Sequence, residues 1–274
     1  MLNGGRTSTN SVRIPYGVPI PRLSAPRTNQ KLRVAYFGRL SEKQKRISEV
    51  TRAFCEMTKT IPGTEGILYG DGPDRVNVEQ ILATEGKGLS VRLAGRIPSN
   101  EVQSHLSECD VVVLLSDYEG LPIAILEAMA CGVVPVCLTM RSGIQELVEH
   151  NVTGLVVQNR GDDFLSAIRM LQEDPSLLLR LSRSARGRAT NDFSMDHCAQ
   201  EWSDLLYLLA QDCRQSKVSL PLRMRLPKVN DALRAEDPRA EHLPGWRRAY
   251  RRSRMLVGRV RGTLRRDSSA KVIE

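Results

Sequence analysis

Short apolar runs alternate with longer segments of mixed polarity between residues 33 and 157. Each run has four to six residues and is followed by a glycine or a polar residue. This pattern is typical of buried β-strands. It predicts six strands, at Arg33–Phe37, Gly66–Tyr69, Ser90–Ala94, Asp110–Leu115, Val133–Leu138 and Thr153–Val157.

The segments between and after these runs carry apolar residues at helical spacing. Those that lie between the predicted strands are Ile47–Thr60, Val76–Thr84, Asn100–Ser107, Pro122–Cys131 and Ile144–His150. Those that follow the last strand are Asp163–Leu171, Leu177–Thr190 and Met195–Gln211. Because helices alternate with strands, we expect βαβ units with right-handed crossovers.

The run Val111–Leu115 indicates how the sheet is covered. It is apolar at every position instead of alternating, as expected of a parallel strand with helices on both faces of its sheet. We therefore predict an α/β fold with a doubly wound, Rossmann-like parallel sheet.

The composition favours a folded domain without a membrane span or a metal site. The chain has 274 residues, of which 41% are apolar, enough to bury a sizeable core. Residues 1–11 contain no apolar stretch of the kind a secretory signal needs, and the apolar window 120–138 is interrupted by Glu127 and two prolines. The six cysteines form no CxxC pair and the four histidines are scattered, so we predict reduced core thiols and no bound metal.

Charge divides the chain into parts. Residues 214–274 hold 17 basic and 6 acidic residues, whereas residues 1–213 hold 23 and 25. We predict a folded domain at 31–213, whose near-neutral balance gives no reason to expect nucleic acid as a partner, and a basic, mostly disordered tail at 214–274. Residues 1–30 are rich in proline, serine and arginine and are expected to form a linker of the kind that joins two domains.

The tail allows a second interpretation. Between residues 246 and 264, apolar side chains follow approximate helical spacing among many arginines, as in an amphipathic helix on an anionic membrane surface. Gly258 and Gly262 weaken such a helix, and a disordered tail is the simpler alternative. Contact with RNA is less favoured because aromatic residues are few.

Two glutamates lie where doubly wound sheets bind ligands, beyond the carboxyl ends of the strands. Glu127 is the one carboxylate in an apolar helix that we expect to be buried on all sides, and a buried carboxylate needs partners. Ligand hydroxyls are the favoured partners, with an internal salt bridge as the alternative. Glu119 lies in the loop before this helix, where, taken alone, it would be an ordinary solvated turn residue.

Taken together, these segments resemble one enzyme family. Residues 119–136 resemble the EGxPxxxxEAMAxGxPV signature of family 4 glycosyltransferases, with one extra valine before Pro135 or an equivalent shift of one residue. Further segments resemble the family's GRL…K, GDGP, GGxxE and NxTGxLV motifs. They are GRLSEKQK at 38–45, GDGP at 70–73, SGIQE at 142–146 and NVTGLV at 151–156. The resemblance covers about residues 12–212. It implies the GT-B fold, the transfer of a sugar from a nucleotide-sugar donor, and retention of the anomeric configuration.

The resemblance also implies roles for single residues on the phosphate side of the donor. Arg39 and Lys45 would neutralise the diphosphate of a UDP- or GDP-sugar. Lys43 and Arg46 lie alongside, so a solvated basic cluster is the alternative. No metal ion is expected in this role, and no other cofactor.

The remaining site residues would contact the sugars and the base. Glu119 and the backbone of Gly120, Leu121 and Pro122 would hold the transferred sugar, and Glu127 would accept hydrogen bonds from the ribose hydroxyls. Of the residues in the GDGP turn, Gly70 and Gly72 are expected to permit a tight turn near the base.

The matched segments all belong to the donor-binding half of such enzymes. We expect the acceptor-binding N-terminal domain to be a separate polypeptide, or this chain to be a shortened product that binds without turnover. The acceptor is a glycan, a lipid or a small molecule, and the expected location is the cytoplasm, extending to the inner face of the membrane if the tail binds lipid. A non-catalytic adapter with a vestigial site is the competing hypothesis, although the intact pair Glu119 and Glu127 argues against it.

Overall fold

A computed structural model describes residues 12–22, 31–140 and 143–212. In it, six parallel strands form one sheet in the order β3-β2-β1-β4-β5-β6. The strands are β1 Leu32–Phe37, β2 Thr64–Tyr69, β3 Val91–Gly95, β4 Val111–Leu114, β5 Val134–Leu138 and β6 Leu155–Val157. The predicted doubly wound parallel sheet is confirmed.

Helices follow the strands as the pattern predicts. They are α1 Glu42–Lys45, α2 Ile47–Thr60, α3 Arg75–Thr84, α4 Val102–Ser107, α5 Ile123–Ala130, α6 Ile144–Leu147, α7 Asp162–Glu173, α8 Pro175–Asp192 and α9 Met195–Asp212. A single 3-10 turn, Ser99–Glu101, leads into α4.

The helices form two layers, one on each face of the sheet. Helix α2 packs with β2, α3 and α7, whereas α5 packs with β4, β5, α4 and α8. In the first layer, the rings of Phe54 and Phe164 stack with their centroids 6.3 Å apart. In the second, the Ser182 hydroxyl donates to the Gly132 carbonyl over 2.5 Å. Strand β4 lies between the layers and is buried at all of its positions, as its continuous apolar run predicts.

One predicted helix boundary was wrong and one short helix was missed. Helix α6 ends at Leu147 instead of His150, because Val148 is extended and the Glu149 N–H donates to the Thr153 hydroxyl over 2.9 Å. Helix α1 was not predicted at all. It has no buried residue, so its sequence has no apolar periodicity to reveal it.

The segment 12–22 contacts the junction between α8 and α9 at Val18. The Val18 N–H donates to the Phe193 carbonyl over 2.8 Å, and the Met195 N–H donates to the Val18 carbonyl over 3.1 Å. Val18 is buried. The linker assigned to 1–30 falls only partly within the described residues, and the basic tail at 214–274, with its amphipathic segment 246–264, lies outside them. Across the described part of the chain, no helix is both long and apolar enough to span a bilayer.

The turns that follow β1 and β2 are packed backbone to backbone. The Leu40 N–H donates to the Asp71 carbonyl over 3.0 Å. Gly70 has φ +144°, and a β-carbon there would lie 1.8 Å from the Gly38 carbonyl oxygen. At Gly72 a β-carbon would lie 2.3 Å from the Leu40 oxygen. Both glycines therefore permit a close approach that fixes the loop after β1.

Gly70→Ala tests this packing. We expect a loss of more than about 3 kcal/mol in the free energy of unfolding, because both the backbone conformation and the contact with Gly38 must change. Urea unfolding of the variant and the wild type measures this loss of stability. The matched control is Gly187→Ala in the middle of α8, where a β-carbon meets nothing within 4 Å and helix propensity should add about 0.5–1 kcal/mol. Equal stability of Gly70→Ala and the wild type would contradict the account.

Candidate functional site

The segments that carry the predicted site residues follow strands that end at one edge of the sheet. The strand order reverses between β1 and β4, so the chain leaves these two strands toward opposite faces, the position at which doubly wound folds form a ligand-binding crevice. The loop after β1 carries Arg39 and leads into α1, which ends at Lys45. The loop after β4 carries Glu119 and leads into α5, which contains Glu127.

Lys45 and Glu119 form an ion pair at this edge. The Lys45 Nζ lies 2.5 Å from the Glu119 Oε1, and the two side chains are 16% and 10% exposed. Gln44 Nε2 donates to the other carboxylate oxygen over 3.3 Å and to the Tyr118 carbonyl over 2.9 Å. Burial and then the charge of Glu119 raise the pKa of the Tyr36 hydroxyl well above its ordinary value. Glu119 is thus a largely buried, paired carboxylate and not a solvated turn residue.

A second ionic cluster lies beside this pair. Arg46 Nε contacts the Asp117 Oδ2 at 2.5 Å, and Arg160 donates to the other carboxylate oxygen. Burial alone would raise the pKa of Asp117, but the hydrogen bonds and charges of Arg46 and Arg160 outweigh it and hold that pKa below its ordinary value. Lys45 and Arg46 are therefore paired with carboxylates of the loop after β4. They do not form the solvated basic cluster that was the alternative interpretation of the sequence.

Arg39 differs from these cations. It is exposed, and its guanidinium has no hydrogen bond or ion pair within the described parts of the chain. Its backbone is fixed by a hydrogen bond, since the Tyr36 hydroxyl donates to the Arg39 carbonyl over 2.8 Å. The side chain is therefore available to an anion while its main chain is fixed.

Helix α5 is buried on one side only, which corrects the prediction that it is buried on all sides. Ile125, Leu126 and Met129 lie in the core, but Ile123 is 46% exposed. Glu127 lies one turn later on the same face and is half-buried. The sequence could not reveal this exposed face of α5, because Ile123, which also lies on it, is as apolar as the residues on the buried face.

The Glu127 carboxylate is half-buried without compensation from the residues described. Burial raises the pKa of Glu127 above its ordinary value, and no charge or hydrogen bond offsets it. The internal salt bridge that was the alternative partner is not found within residues 12–22, 31–140 and 143–212. Ligand hydroxyls therefore stay the favoured partner.

The N-terminus of α5 opens on the same loop. Pro122 is the N-cap residue, and no side chain among the described residues caps the helix. The Gly120 carbonyl accepts from the Gly143 N–H over 3.1 Å, while a β-carbon on Gly120 would meet nothing within 4 Å. Leu121 is half-buried. Within residues 120–122, Gly120 is thus the exposed position beside Glu119, whereas Pro122 is buried.

The thiols and histidines show no metal centre in the part of the chain that can be described. Cys55, Cys109 and Cys137 are buried, and Cys131 and Cys198 are partly exposed. No group of three or more His, Cys, Asp or Glu residues there is arranged to hold an ion.

Sequence reasoning missed Gln44, Asp117 and Arg160 as site residues. A signal existed, because Lys45 and Arg46 follow β1 and the acidic Asp117 and Glu119 follow β4. Their pairing becomes visible only once β1 and β4 are known to be neighbours, which the apolar pattern does not specify.

Glu127→Gln tests the burial of this carboxylate. A raised pKa in the fold means that the unfolded chain ionises first, so stability falls as the pH rises through the Glu127 pKa. We expect the variant to unfold at higher urea than the wild type at pH 7. The difference should vanish below about pH 4, where the carboxyl is neutral in both states. A variant less stable than the wild type at pH 7 would show that the carboxylate is compensated.

Comparisons with known proteins agree with this geometry. The family described as Glycosyl transferases group 1 has a sequence model that matches residues 23–188, more than half of the chain. The amylovoran biosynthesis glycosyltransferase AmsK of Erwinia amylovora is 30% identical over 190 residues, which are 66% of this chain and 46% of that protein. The chain thus spans about half the length of this curated relative.

Solved structures share the fold. Anabaena HepE in complex with UDP and glucose superposes with a TM-score of 0.58 at 24% identity, over 65% of this chain and 49% of that chain. The C-terminal domain of the glycosyl transferase group 1 family protein LpcC from Francisella tularensis gives 0.54 at 23% identity, over 61% and 88%. The described sheet and helices are the Rossmann-like C-terminal domain of the GT-B fold. The chain belongs to the glycosyl transferases group 1 family.

Proposed function

We propose that this chain is the donor-binding half of a retaining, family 4 glycosyltransferase and binds a nucleotide sugar in the crevice between β1 and β4. The observation that carries the proposal is the grouping of three features at one sheet edge. They are the Lys45–Glu119 pair, the uncapped N-terminus of α5 and the uncompensated carboxylate of Glu127. A nucleotide sugar offers matching groups, a diphosphate and two sets of hydroxyls.

The diphosphate would bind between Arg39, Lys45 and the first amides of α5. Arg39 is exposed, and an uncapped helix N-terminus favours phosphate through its free N–H groups and its dipole. As the bond from the sugar to the diphosphate breaks, negative charge grows on the leaving nucleotide, and these fixed cations stabilise it. They take the part that a divalent ion takes in other sites.

Lys45 can serve the phosphate without leaving Glu119. Its ammonium has three N–H donors, and the contact with Glu119 Oε1 uses one of them. The pair would thus join the diphosphate to the carboxylate that holds the transferred sugar. The backbone of Gly120, Leu121 and Pro122 continues this surface.

Glu127 would accept hydrogen bonds from the ribose hydroxyls. Its half-buried carboxylate has unused acceptor capacity, since the described residues give it no donor. The two ribose hydroxyls would supply hydrogen-bond donors to the Glu127 carboxylate, which the fold has already partly desolvated. Gly70 and Gly72 would lie near the base. They would permit the tight turn there and would not bind the base directly.

Transfer needs a second wall that holds the acceptor against the donor. Because the chain spans about half the length of its relative, we propose that this wall is another domain, and that the chain alone binds donor but transfers little. The UDP in the HepE complex favours a UDP-sugar, and the similarity to AmsK, a glycosyltransferase of amylovoran biosynthesis, favours a glycan acceptor. GDP-sugars stay within the proposal, since no described residue selects a base.

Calorimetric titration of the chain with UDP-glucose, GDP-mannose and an ADP-sugar tests the donor site. We expect one of the first two to bind, and Glu127→Gln and Arg39→Gln each to weaken binding about tenfold or more, as loss of a hydrogen bond to a charged group does. Arg92→Gln is the matched control. Arg92 is exposed on β3 and pairs with Glu65, so the donor affinity should not change.

No binding by any of the three donors would contradict the proposal and favour the non-catalytic adapter. The same titration in excess EDTA tests the role assigned to the cations. We expect the affinity to be unchanged, because Arg39, Lys45 and the α5 amides carry the phosphate charge. Binding that disappears with the chelator and returns with Mg²⁺ would show that a divalent ion is required.

A further inference from the structure

Two segments of the site contact each other at successive residues. The Asp117 N–H donates to the Gln44 carbonyl over 2.9 Å, and the Gln44 side chain donates to the Tyr118 carbonyl over 2.9 Å. Lys45 pairs with Glu119, and Arg46 pairs with Asp117, each at 2.5 Å. The position of Lys45 is therefore set on both sides by contacts between residues 44–46 and residues 117–119.

Arg46 is the residue that turns the chain at this point. It lies between α1 and α2 with φ 49° and ψ 45°, in the left-handed region. A residue with a β-carbon adopts this conformation at a cost, and the chain must hold it for α1 to present Lys45 to the β4 loop. The contact of Arg46 Nε with Asp117 holds the side chain of this turn.

Asp117 connects this turn to two other parts of the fold. Its second oxygen accepts from Arg160, in the connection between β6 and α7. Arg160 Nε donates to the Leu115 carbonyl over 2.7 Å, and its Nη1 lies 3.3 Å from the Glu49 carboxylate of α2. Each carboxylate oxygen of Asp117 already has an arginine partner. Asp117 therefore affects the site through Arg46 and Arg160 and not by contacting a ligand itself.

We propose that Asp117 is a positioning residue that fixes the geometry of the Lys45–Glu119 pair through Arg46 and Arg160. Removing its charge would release the Arg46 turn and the 117–119 loop together. The distance between Lys45 and Glu119 would then no longer be set by the fold. The consequence for donor binding rests on the proposed function, whereas the consequence for the pair does not.

The effect on the pair is measured without any donor. Urea unfolding of the wild type, Lys45→Met, Glu119→Gln and the double variant gives the coupling energy between the two side chains. The same four proteins are then made with Asp117→Asn. We expect the coupling to fall to less than half of its value in the wild-type background. A merely structural Asp117 would lower the stability of all four proteins equally and leave the coupling unchanged, which would overturn the proposal.

The matched control is Asp110→Asn. Asp110 precedes the same strand at its other end, where its carboxylate accepts from the Arg33 N–H over 2.7 Å. This variant should lower stability while the Lys45–Glu119 coupling is retained. If Asp117→Asn does not fold, Arg46→Gly replaces it, because glycine adopts the left-handed conformation freely and the ion pair with Asp117 is lost with the arginine side chain. The expected loss of coupling is the same.

The donor titration supplies the second measurement, with UDP as the probe. We expect Asp117→Asn to weaken UDP binding about tenfold and Asp110→Asn to leave it unchanged. In a Lys45→Met background, Asp117→Asn should have no further effect, since the group that it positions is gone. An equal tenfold loss in that background would overturn the proposal. GDP replaces UDP as the probe if the wild type binds GDP instead. If the wild type binds neither nucleotide, the proposed function fails, while the unfolding measurement still decides the role of Asp117.

Discussion

The reversal of strand order between β1 and β4 is the constraint on which the site depends. Right-handed crossovers place α2 and α5 on opposite faces of the sheet, so the chain must separate where β1 and β4 end side by side. That separation exposes backbone and helix termini at an edge that is otherwise packed. The cations after β1 and the carboxylates after β4 then face each other because neighbouring parallel strands end at the same edge.

Local pairing of charge, and not net charge, distinguishes this edge. Residues 1–213 are close to neutral, and the net charge of +9 comes from residues 214–274. Within the site, the positive groups at 45 and 46 are matched by carboxylates, which rigidifies them before any ligand arrives. Arg39 and Glu127 are the exceptions among the described residues. One unpaired cation and one unpaired anion at the same edge suit a ligand that carries phosphates at one point and hydroxyls at another.

The sequence predicted the sheet well because burial between two helical layers forces the strands to be largely apolar, most completely at Val111–Leu114. The prediction failed at α1, because a helix without buried residues has no apolar periodicity. It also failed at the end of α6, where the hydrogen bond from Glu149 to Thr153 follows the last helical turn. It also placed α5 wholly in the core, since an open face with Ile123 looks like a buried one. The family resemblance identified Glu119 and Lys45 as site residues but assigned them to separate parts of the donor. Their mutual contact, and the role of Asp117, depend on strand neighbours that only the three-dimensional structure provides.

The central claim is that a nucleoside diphosphate binds where the loops after β1 and β4 meet. Hydrogen–deuterium exchange of the chain with and without saturating UDP tests this claim most directly. Slower exchange is predicted in peptides covering residues 38–46 and 119–127, because the phosphates engage the amides of α5 and fix the loop at Arg39. Peptides from α3, at residues 75–84, should be unchanged apart from any contact with the base at its start. Protection confined to other segments, with these two loops unaffected, would contradict the account.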